Sequence, residues 1–265
     1  MIKKGEKTMS IQKPYHRFYR PFVGDKMIRL QNYGYVTVRD YAEQAEQYIR
    51  SFNMIQDDVK KIFEYVEPSD KNLETYSMQI YNLFFRICVE VEANFKAILR
   101  ENTYHGTGEW WNMKDYRKVN KTHRLSEYKV TFPVWNGEKK TFVPFADWET
   151  DDEKAKLGWY NIYNNCKHNR YLHKEDANFG NMLNAFAGLF VLLTAQFGGE
   201  DFEPGSILIS VRADVDSFYQ GEFGIGDYLQ IEWPKDWPDE ERYGFDWKQL
   251  RLEKERFQKF DYNEI

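Results

Sequence analysis

One segment constrains the fold more than any other: residues 176–197 are apolar on almost every side of the helix that they predict. A surface helix keeps one polar face, so a helix without one must be covered by other elements. Its most apolar stretch, residues 185–195, is shorter than the roughly 20 residues that a bilayer-crossing helix needs. Gly198 and Gly199 follow directly and provide a helix C-cap. We therefore predict the buried central helix of a bundle.

Two further amphipathic patterns precede this segment. Apolar residues recur every three or four positions over residues 37–65, and Pro68 stops this first helix. The same period returns over residues 72–100. Both patterns predict helices with one buried stripe, and the short connection between them favours antiparallel packing. The central helix also carries a row of small residues, four apart, that would let a neighbouring helix approach closely: Gly180, Asn184 and Gly188.

The helical period disappears between residues 102 and 150. Residues 128–134 and 139–145 are rich in β-forming side chains and flank Asn136-Gly137, a dipeptide typical of hairpin turns. We therefore predict a β-hairpin inserted between helices, in an insertion that spans about 103–150.

The C-terminal part predicts a small appendage. Residues 206–213 and 228–233 have strand character, and residues 246–260 form a charged helical pattern. The predicted fold class is therefore mainly α (α+β): an antiparallel helical bundle with an inserted β-hairpin and a small C-terminal β appendage. The predicted divisions are an N-terminal arm at 1–36, the bundle at 37–200 and an α/β appendage at 201–265 packed on it.

Composition and motifs narrow the class of function. A net charge of −5 argues against a surface that is basic throughout, so any nucleic-acid contact must be local. The sequence contains neither a phosphate-binding loop nor a Gly-x-Ser-x-Gly elbow nor a metal-ligand spacing. We expect no metal and no cofactor, and we interpret Cys88 and Cys166 as reduced core residues. The N-terminus lacks the apolar stretch of a secretory signal, which favours a cytoplasmic protein without a membrane span.

The densest group of functional side chains is residues 163–170, Tyr-Asn-Asn-Cys-Lys-His-Asn-Arg. In a helix over about 151–171, successive residues turn by about 100°, which separates two faces. The core face carries Trp159, Ile162, Tyr163 and Cys166; the opposite face carries Asn161, Asn164, Asn165 and His168, with Lys167 at the boundary. The opposite face is either solvated or a binding site. Its asparagines and histidine support binding, because they are weak helix formers with directional hydrogen-bonding groups.

Arg170 turns back toward the core face of this predicted helix. A buried guanidinium needs a carboxylate partner, and Glu90 and Glu92 on the preceding long helix are the candidates. Arg86 and Glu90 are four residues apart, so a local surface pair between them is the alternative. Arg86 and Glu90 therefore join three residues of the polar helix as candidate binding residues: Asn161, Asn165 and Tyr163.

Residues 15–22 of the N-terminal arm interleave aromatic and basic side chains, Tyr-His-Arg-Phe-Tyr-Arg-Pro-Phe. Such a mixture can stack on nucleic-acid bases. It can also pin a chain terminus to the body of the protein through its aromatic rings, and we expect this second role.

The chain resembles the HEPN superfamily in the order of three features: a pair of long helices, the motif Trp159-x3-Tyr163-Asn164-x2-Lys167-His168-Asn169-Arg170, and an apolar helix after Ala177-Asn178. Members of that superfamily are small helical bundles of prokaryotic toxins, abortive-infection proteins and defence-associated ribonucleases. The resemblance covers residues 37–200 apart from the inserted hairpin.

Active members of that superfamily are metal-independent ribonucleases whose two active sites meet at a dimer interface. The resemblance implies a homodimer and a catalytic role for His168, which would act as general acid or base on the RNA. It also implies that Lys167 or Arg170 stabilises the charge on the scissile phosphate, with Asn164 in support.

The sequence departs from the family motif, in which four to six residues separate an arginine from the histidine that follows it. Asn161, Ile162 and Tyr163 occupy those positions here. Arg86 on another helix replaces the missing arginine, or nothing does. Elsewhere, Arg100-x4-His105 and Arg117-x5-His123 match the bare spacing, but the first straddles a predicted helix end and the second lies in the insertion.

Three functions are compatible with these features. The first is an RNA-cleaving dimer that uses His168. The second is a non-catalytic module that binds RNA, a nucleotide or a partner protein through the face of Asn164 and His168, and the missing arginine favours it. The third is an assembly subunit, in which the 18% aromatic content supplies an interface.

Overall fold

The computed structural model describes residues 10–24, 32–106, 110–150, 152, 155–202 and 222–265. It confirms a mainly helical α+β fold with a small antiparallel sheet. The α-helices of the described residues are α1 (Ala45–Phe63), α2 (Met78–Glu101), α3 (Met113–His123), α4 (Gly158–His168), α5 (Arg170–His173), α6 (Phe179–Phe197) and α7 (Trp247–Leu250). The strands are β1 (Lys129–Thr131), β2 (Thr141–Phe142), β3 (Glu222–Phe223) and β4 (Gln230–Glu232).

Helix α6 is the central helix of the bundle, as the sequence predicts. It packs against α1, α2 and α4, and it ends at Gly198, whose N–H donates to the carbonyl of Thr194 at 2.8 Å. By length and composition α6 could cross a membrane, but 83% of its most apolar window is buried inside the protein. Phe52 of α1 stacks on Phe186 of α6 with ring centroids 5.4 Å apart, so aromatic packing fixes the two helices together.

Helices α1 and α2 form the predicted pair. Asp58, near the end of α1, accepts a hydrogen bond from Arg86, in the first half of α2, which is the arrangement of antiparallel neighbours. Helix α1 begins at Ala45, later than its apolar pattern suggests, because Gln44 has a left-handed backbone (φ 52°) that interrupts the helix. Ser77 caps α2 by accepting from the N–H of Ile80 at 3.1 Å.

The strands form one antiparallel sheet in the order β2-β1-β4-β3. β1 and β2 are the predicted hairpin, with Val130 opposite Phe142. Residues 132–140 form its loop, so the Asn-Gly dipeptide lies inside a wide loop and not in a two-residue turn. β1 also pairs with β4, where Val130 faces Ile231, so the inserted hairpin and the C-terminal segment share one sheet.

Two of the C-terminal expectations have clear outcomes. The strand predicted at 228–233 contains β4, whereas the strand predicted at 206–213 lies outside the described residues. The charged helix predicted over 246–260 is wrong, because α7 ends at Leu250. Residues 251–255 are all exposed, so no apolar stripe holds them in a helix against the body.

Helix α3 lies in a region where the sequence predicts no helix. A capping box begins it: Asn112 accepts from the N–H of Lys114, and Asp115 accepts from the N–H of Asn112 at 2.7 Å. Charged and polar side chains fill most of this helix and surround the buried apolar positions Tyr116 and Val119. The sequence pattern does not predict this helix, because its apolar stripe consists of only two residues.

The N-terminal arm is pinned to the body, as expected. Phe18 is fully buried, and the arm forms single β-bridges to the C-terminal segment, between Ile11 and Tyr243 and between Tyr15 and Gln258. Arg17 is also fully buried, so it cannot stack on a nucleic-acid base. The interleaved aromatic and basic residues of the arm therefore serve the core.

Candidate functional site

Helix α4 presents the core face that the helical wheel predicts. Trp159, Tyr163 and Cys166 are buried, and Ile162 is half-buried against the core. The indole of Trp159 donates to the carbonyl of Pro144 at 2.8 Å, which fixes the start of the helix. The orientation of the polar face follows from this anchoring.

Tyr160 also belongs to the buried side of α4, although the sequence did not single it out. Its hydroxyl donates to Oε1 of Glu92 on α2 at 2.7 Å. Burial and this carboxylate raise the pKa of Tyr160 far above its ordinary value, so the phenol stays protonated. Glu92 therefore accepts a hydrogen bond from Tyr160 and is not the partner of Arg170.

The predicted polar face points outward. Asn161, Asn164 and Asn165 are half-buried and His168 is exposed. Within the described part of the chain, none of these four side chains makes a hydrogen bond to the protein. Three amides and an imidazole therefore remain available to an external partner.

The prediction that Arg170 is buried and paired with Glu90 or Glu92 is wrong. Helix α4 ends at His168, because Asn169 has a non-helical backbone (φ −145°, ψ 80°). The side chain of Asn169 caps the next short helix by accepting from the N–H of Leu172. The helical wheel therefore fails beyond the break. Arg170 is exposed instead.

The local pair between Arg86 and Glu90 is also absent. Arg86 donates to Oδ2 of Asp58 at 2.7 Å, and hydrogen bonds from Lys61 and Arg86 lower the pKa of Asp58. The backbone carbonyl of Glu90 accepts from the side chain of Asn94. Arg86 is therefore paired with α1.

Arg170 and Lys167 both lie over aromatic rings. The guanidinium of Arg170 is 5.1 Å from the ring centroid of Tyr81, and its Nη2 is 3.5 Å from Sδ of Met78. The ammonium of Lys167 is 5.6 Å from the ring centroid of Tyr163. Such cation–π contacts hold a charge in place and leave its outer side open to solvent.

These rings belong to one continuous aromatic row. Tyr81 stacks on Phe85 at 4.5 Å, Phe85 meets Tyr163 edge-on at 5.1 Å, and Tyr163 contacts Tyr160 at 5.3 Å. The row joins α2 to α4. It therefore brings together two cations that the helical wheel places on different faces.

The site also carries an exposed aromatic side chain. Tyr171 is 94% exposed and follows Arg170 directly. Among the described residues, neither Lys167 nor Arg170 has a carboxylate oxygen within 4.0 Å, so both charges are unneutralised. We call the exposed group Lys167, His168, Arg170 and Tyr171 the basic-aromatic surface.

The described residues of the site include neither a reactive thiol nor a metal cluster. Cys166 donates its thiol to the carbonyl of His173 at 2.9 Å, and burial raises the pKa of that thiol, which makes a reactive thiolate unfavourable. The described ranges hold no group of three or more His, Cys, Asp or Glu side chains placed to bind a metal ion. Cys88 and Cys166 are both free and buried.

The two other arginine–histidine spacings are not sites either. His123 is fully buried, and its Nε2 donates to the backbone carbonyl of Arg17 at 2.9 Å, so it is inaccessible to substrate. His105 lies outside any helix, beyond the end of α2. Arg117 and His123 share helix α3, but burial removes His123 from use, and His105 is not on a helix.

Comparison with known proteins finds no matching family model, no matching curated protein and no matching solved structure. The likeness to the HEPN superfamily therefore depends on the residues quoted above. Any function must be argued from the surface geometry of this chain.

Proposed function

We propose that this chain binds single-stranded RNA, as a HEPN-like module, through the basic-aromatic surface. One observation carries the proposal: Lys167 and Arg170 lie over aromatic rings, exposed and without a carboxylate partner among the described residues, beside the fully exposed Tyr171. This combination matches the two requirements of single-strand binding, which are cations for phosphates and an aromatic face for bases.

The chemistry of each group fits a separate part of the ligand. The planar guanidinium of Arg170 suits a phosphate because it can donate two parallel hydrogen bonds. Tyr171 offers a ring on which an unpaired base can stack. Asn161, Asn164 and Asn165 lie on the adjoining face and carry amides that both donate and accept, as base edges require.

The overall charge makes such a contact local. The chain carries a net charge of −5, so an RNA strand would be repelled from most of its surface. Residues 167–174 hold Lys167, His168, Arg170 and Lys174 without an acidic residue, and His173 pairs with Asp176 just beyond them. This short basic segment is therefore the favoured place for a polyanion.

Binding without cleavage is the form that the geometry supports better. A metal-independent ribonuclease of this family needs an arginine close to its histidine, and the positions on α4 where it would stand hold Asn161, Ile162 and Tyr163. Arg170, which follows the histidine, is positioned by Tyr81 and Met78. His168 has no positioning partner among the described side chains, whereas a general base is usually oriented by one.

Fluorescence anisotropy with labelled single-stranded RNA tests the proposal. We expect Lys167→Ala/Arg170→Ala to weaken binding at least tenfold and to lower the slope of log affinity against log salt by about two, since each removed phosphate contact lowers it by about one. Lys71→Ala is the matched control, because Lys71 is equally exposed and lies on a different segment. Wild-type affinity in the double variant would refute the proposal.

The same experiment separates binding from cleavage. RNA recovered after incubation with wild-type protein should be intact, because no arginine precedes His168 at the spacing of the family motif. Fragments that disappear with His168→Ala would instead assign the chain to the RNA-cleaving class, acting as a homodimer. Sedimentation of the wild-type protein with and without RNA would show whether two copies are present.

A further inference from the structure

A cavity lies on a different part of the molecule from the basic-aromatic surface. It has a volume of about 550 Å³ and opens to solvent between the segment before α1 and the residues around α7. Its walls share no residue with the basic-aromatic surface. The residues that line it are Gly34, Val38, Trp247, Lys248, Arg251 and Arg256.

Half of the residues in these walls are cations, and one is fixed in place. Arg256 pairs with Asp40 and donates to the backbone carbonyl of Arg251 at 3.2 Å. Its Nε–H has no acceptor among the described residues. Arg256 therefore forms an ordered basic wall whose Nε is buried.

The other two cations are unneutralised. Lys248 and Arg251 are exposed, and neither has a carboxylate oxygen within 4.0 Å in the described ranges. Of the nearest acidic residues along the chain, Asp246 accepts from the backbone N–H of Lys248, and Glu253 pairs with Lys13 at 2.8 Å. The cavity therefore has a net positive charge in a chain whose net charge is negative.

The floor of the cavity adds a neutral donor. Trp247 is only 6% exposed, and its indole N–H makes no hydrogen bond to any described residue. The edge that carries this N–H lies beside Gly34, where an added Cβ would stand 3.2 Å from Cδ1 and 3.3 Å from Nε1. Glycine at position 34 therefore keeps the indole edge uncovered at the cavity.

We propose that this cavity binds a small phosphate-bearing molecule. A phosphate group accepts hydrogen bonds from several directions at once, and here an indole N–H, an ammonium and the unpaired guanidinium of Arg251 line one space beside the paired guanidinium of Arg256. A ligand with a single carboxylate would leave most of these donors without an acceptor and most of these charges without a counter-charge. The volume lies within the range of sites that hold small metabolites, and Val38 offers an apolar wall to the remainder of the molecule.

Thermal shift and titration calorimetry with inorganic phosphate, pyrophosphate and ADP, each at an ionic strength matched with NaCl, test this site. We expect at least one of the three to raise the melting temperature of the full chain and to bind with one-to-one stoichiometry. Tighter binding of ADP than of pyrophosphate would identify a nucleotide as the source of the phosphate. Equal binding would identify the phosphate group alone.

Variants locate the binding. Lys248→Ala/Arg251→Ala changes two exposed side chains, so it should fold normally and bind at least tenfold more weakly. Trp247→Phe keeps the ring packing, removes the N–H and should weaken binding severalfold. Lys254→Ala is the matched control, since Lys254 is exposed and does not line the cavity.

Either of two results would overturn the site: no binding of any probe at millimolar concentration, or unchanged binding in Lys248→Ala/Arg251→Ala. Binding of RNA through Lys167 and Arg170 is independent of this cavity. The RNA affinity of the Lys248→Ala/Arg251→Ala variant should equal that of the wild-type protein, so failure of one proposal leaves the other intact.

Discussion

Arg17 and Glu101 form an ion pair inside the protein, with Nε of Arg17 2.7 Å from Oε1 of Glu101. The arginine is fully buried and the carboxylate is 13% exposed. The same guanidinium also donates to Oε1 of Gln196 and to the backbone carbonyl of Glu43. One side chain of the N-terminal arm thereby connects α2, α6 and the start of α1.

Replacing Arg17 by Met should destabilise the protein by about 3–5 kcal/mol, because Glu101 would remain buried without its partner. Burial already raises the pKa of Glu101, and Arg17 opposes that shift. Urea unfolding measures the loss. Lys13→Met is the control, since its pair with Glu253 is exposed and should cost no more than about 1 kcal/mol. Equal stability of the two variants would contradict this account of the arm.

His123 should make stability depend on pH in the acid range. Burial lowers the pKa of His123 to about 3, whereas an unfolded histidine has a pKa near 6.5. Between these values the unfolded chain binds a proton that the folded chain excludes, so stability falls as pH falls from about 6.5 toward 3, by several kcal/mol in total.

The variant His123→Gln should lose this part of the pH dependence. Urea unfolding of both proteins between pH 7 and pH 4 gives the comparison, and the difference in free energy of unfolding between them should narrow as the pH falls. Parallel curves would show that another group causes the acid sensitivity. Gln keeps a donor for the carbonyl of Arg17, which accepts from Nε2 of His123 at 2.9 Å.

Gly188 sets the approach of α4 to α6. A Cβ at position 188 would stand 3.2 Å from Cζ2 of Trp159, so Gly188→Val should force the indole away and cost about 1–3 kcal/mol. Gly158→Ala is the matched control, because nothing lies within 4 Å of its added Cβ and alanine favours a helix by up to about 1 kcal/mol. Thermal unfolding should therefore move in opposite directions for the two variants.

Tyr81 should act in RNA binding through Arg170. If Arg170 contacts RNA, Tyr81→Leu should weaken binding about two- to fivefold, which corresponds to the ~0.5–1 kcal/mol of an exposed cation–π contact. The effect should vanish when Arg170 is already alanine, as a double-mutant cycle would show. Tyr65→Leu changes an 85% exposed tyrosine elsewhere and should leave affinity unchanged. An equal effect of Tyr81→Leu in both backgrounds would exclude this positioning role.

The parts of the fold with strong periodicity were predictable from the sequence. The apolar positions of α2 and α6 repeat over many turns, and the burial that they demand outweighs local preferences. Helix α3 was not predictable, because only Tyr116 and Val119 mark its buried side and a capping box starts it. The pairing of β1 with β4 joins residues about a hundred positions apart, a distance over which local patterns carry no information.

The candidate site was predictable in location and not in arrangement. The helical wheel places Asn164 and His168 outside and Tyr163 inside, as the structure confirms. It fails for Arg170, because the chain leaves the helix at Asn169. Tyr81 could not have been found, since its place beneath Arg170 depends on how α2 packs against α4.

The bridges between the N-terminal arm and the C-terminal segment have a consequence for synthesis on the ribosome. Tyr15 pairs with Gln258, and Phe22 with Tyr243, so the arm meets partners that are made more than 200 residues later. Contacts so distant along the chain form late. Phe18 and Phe22 would therefore stay uncovered until residues 243–258 have been made, and this part of the fold would close only after those residues leave the exit tunnel.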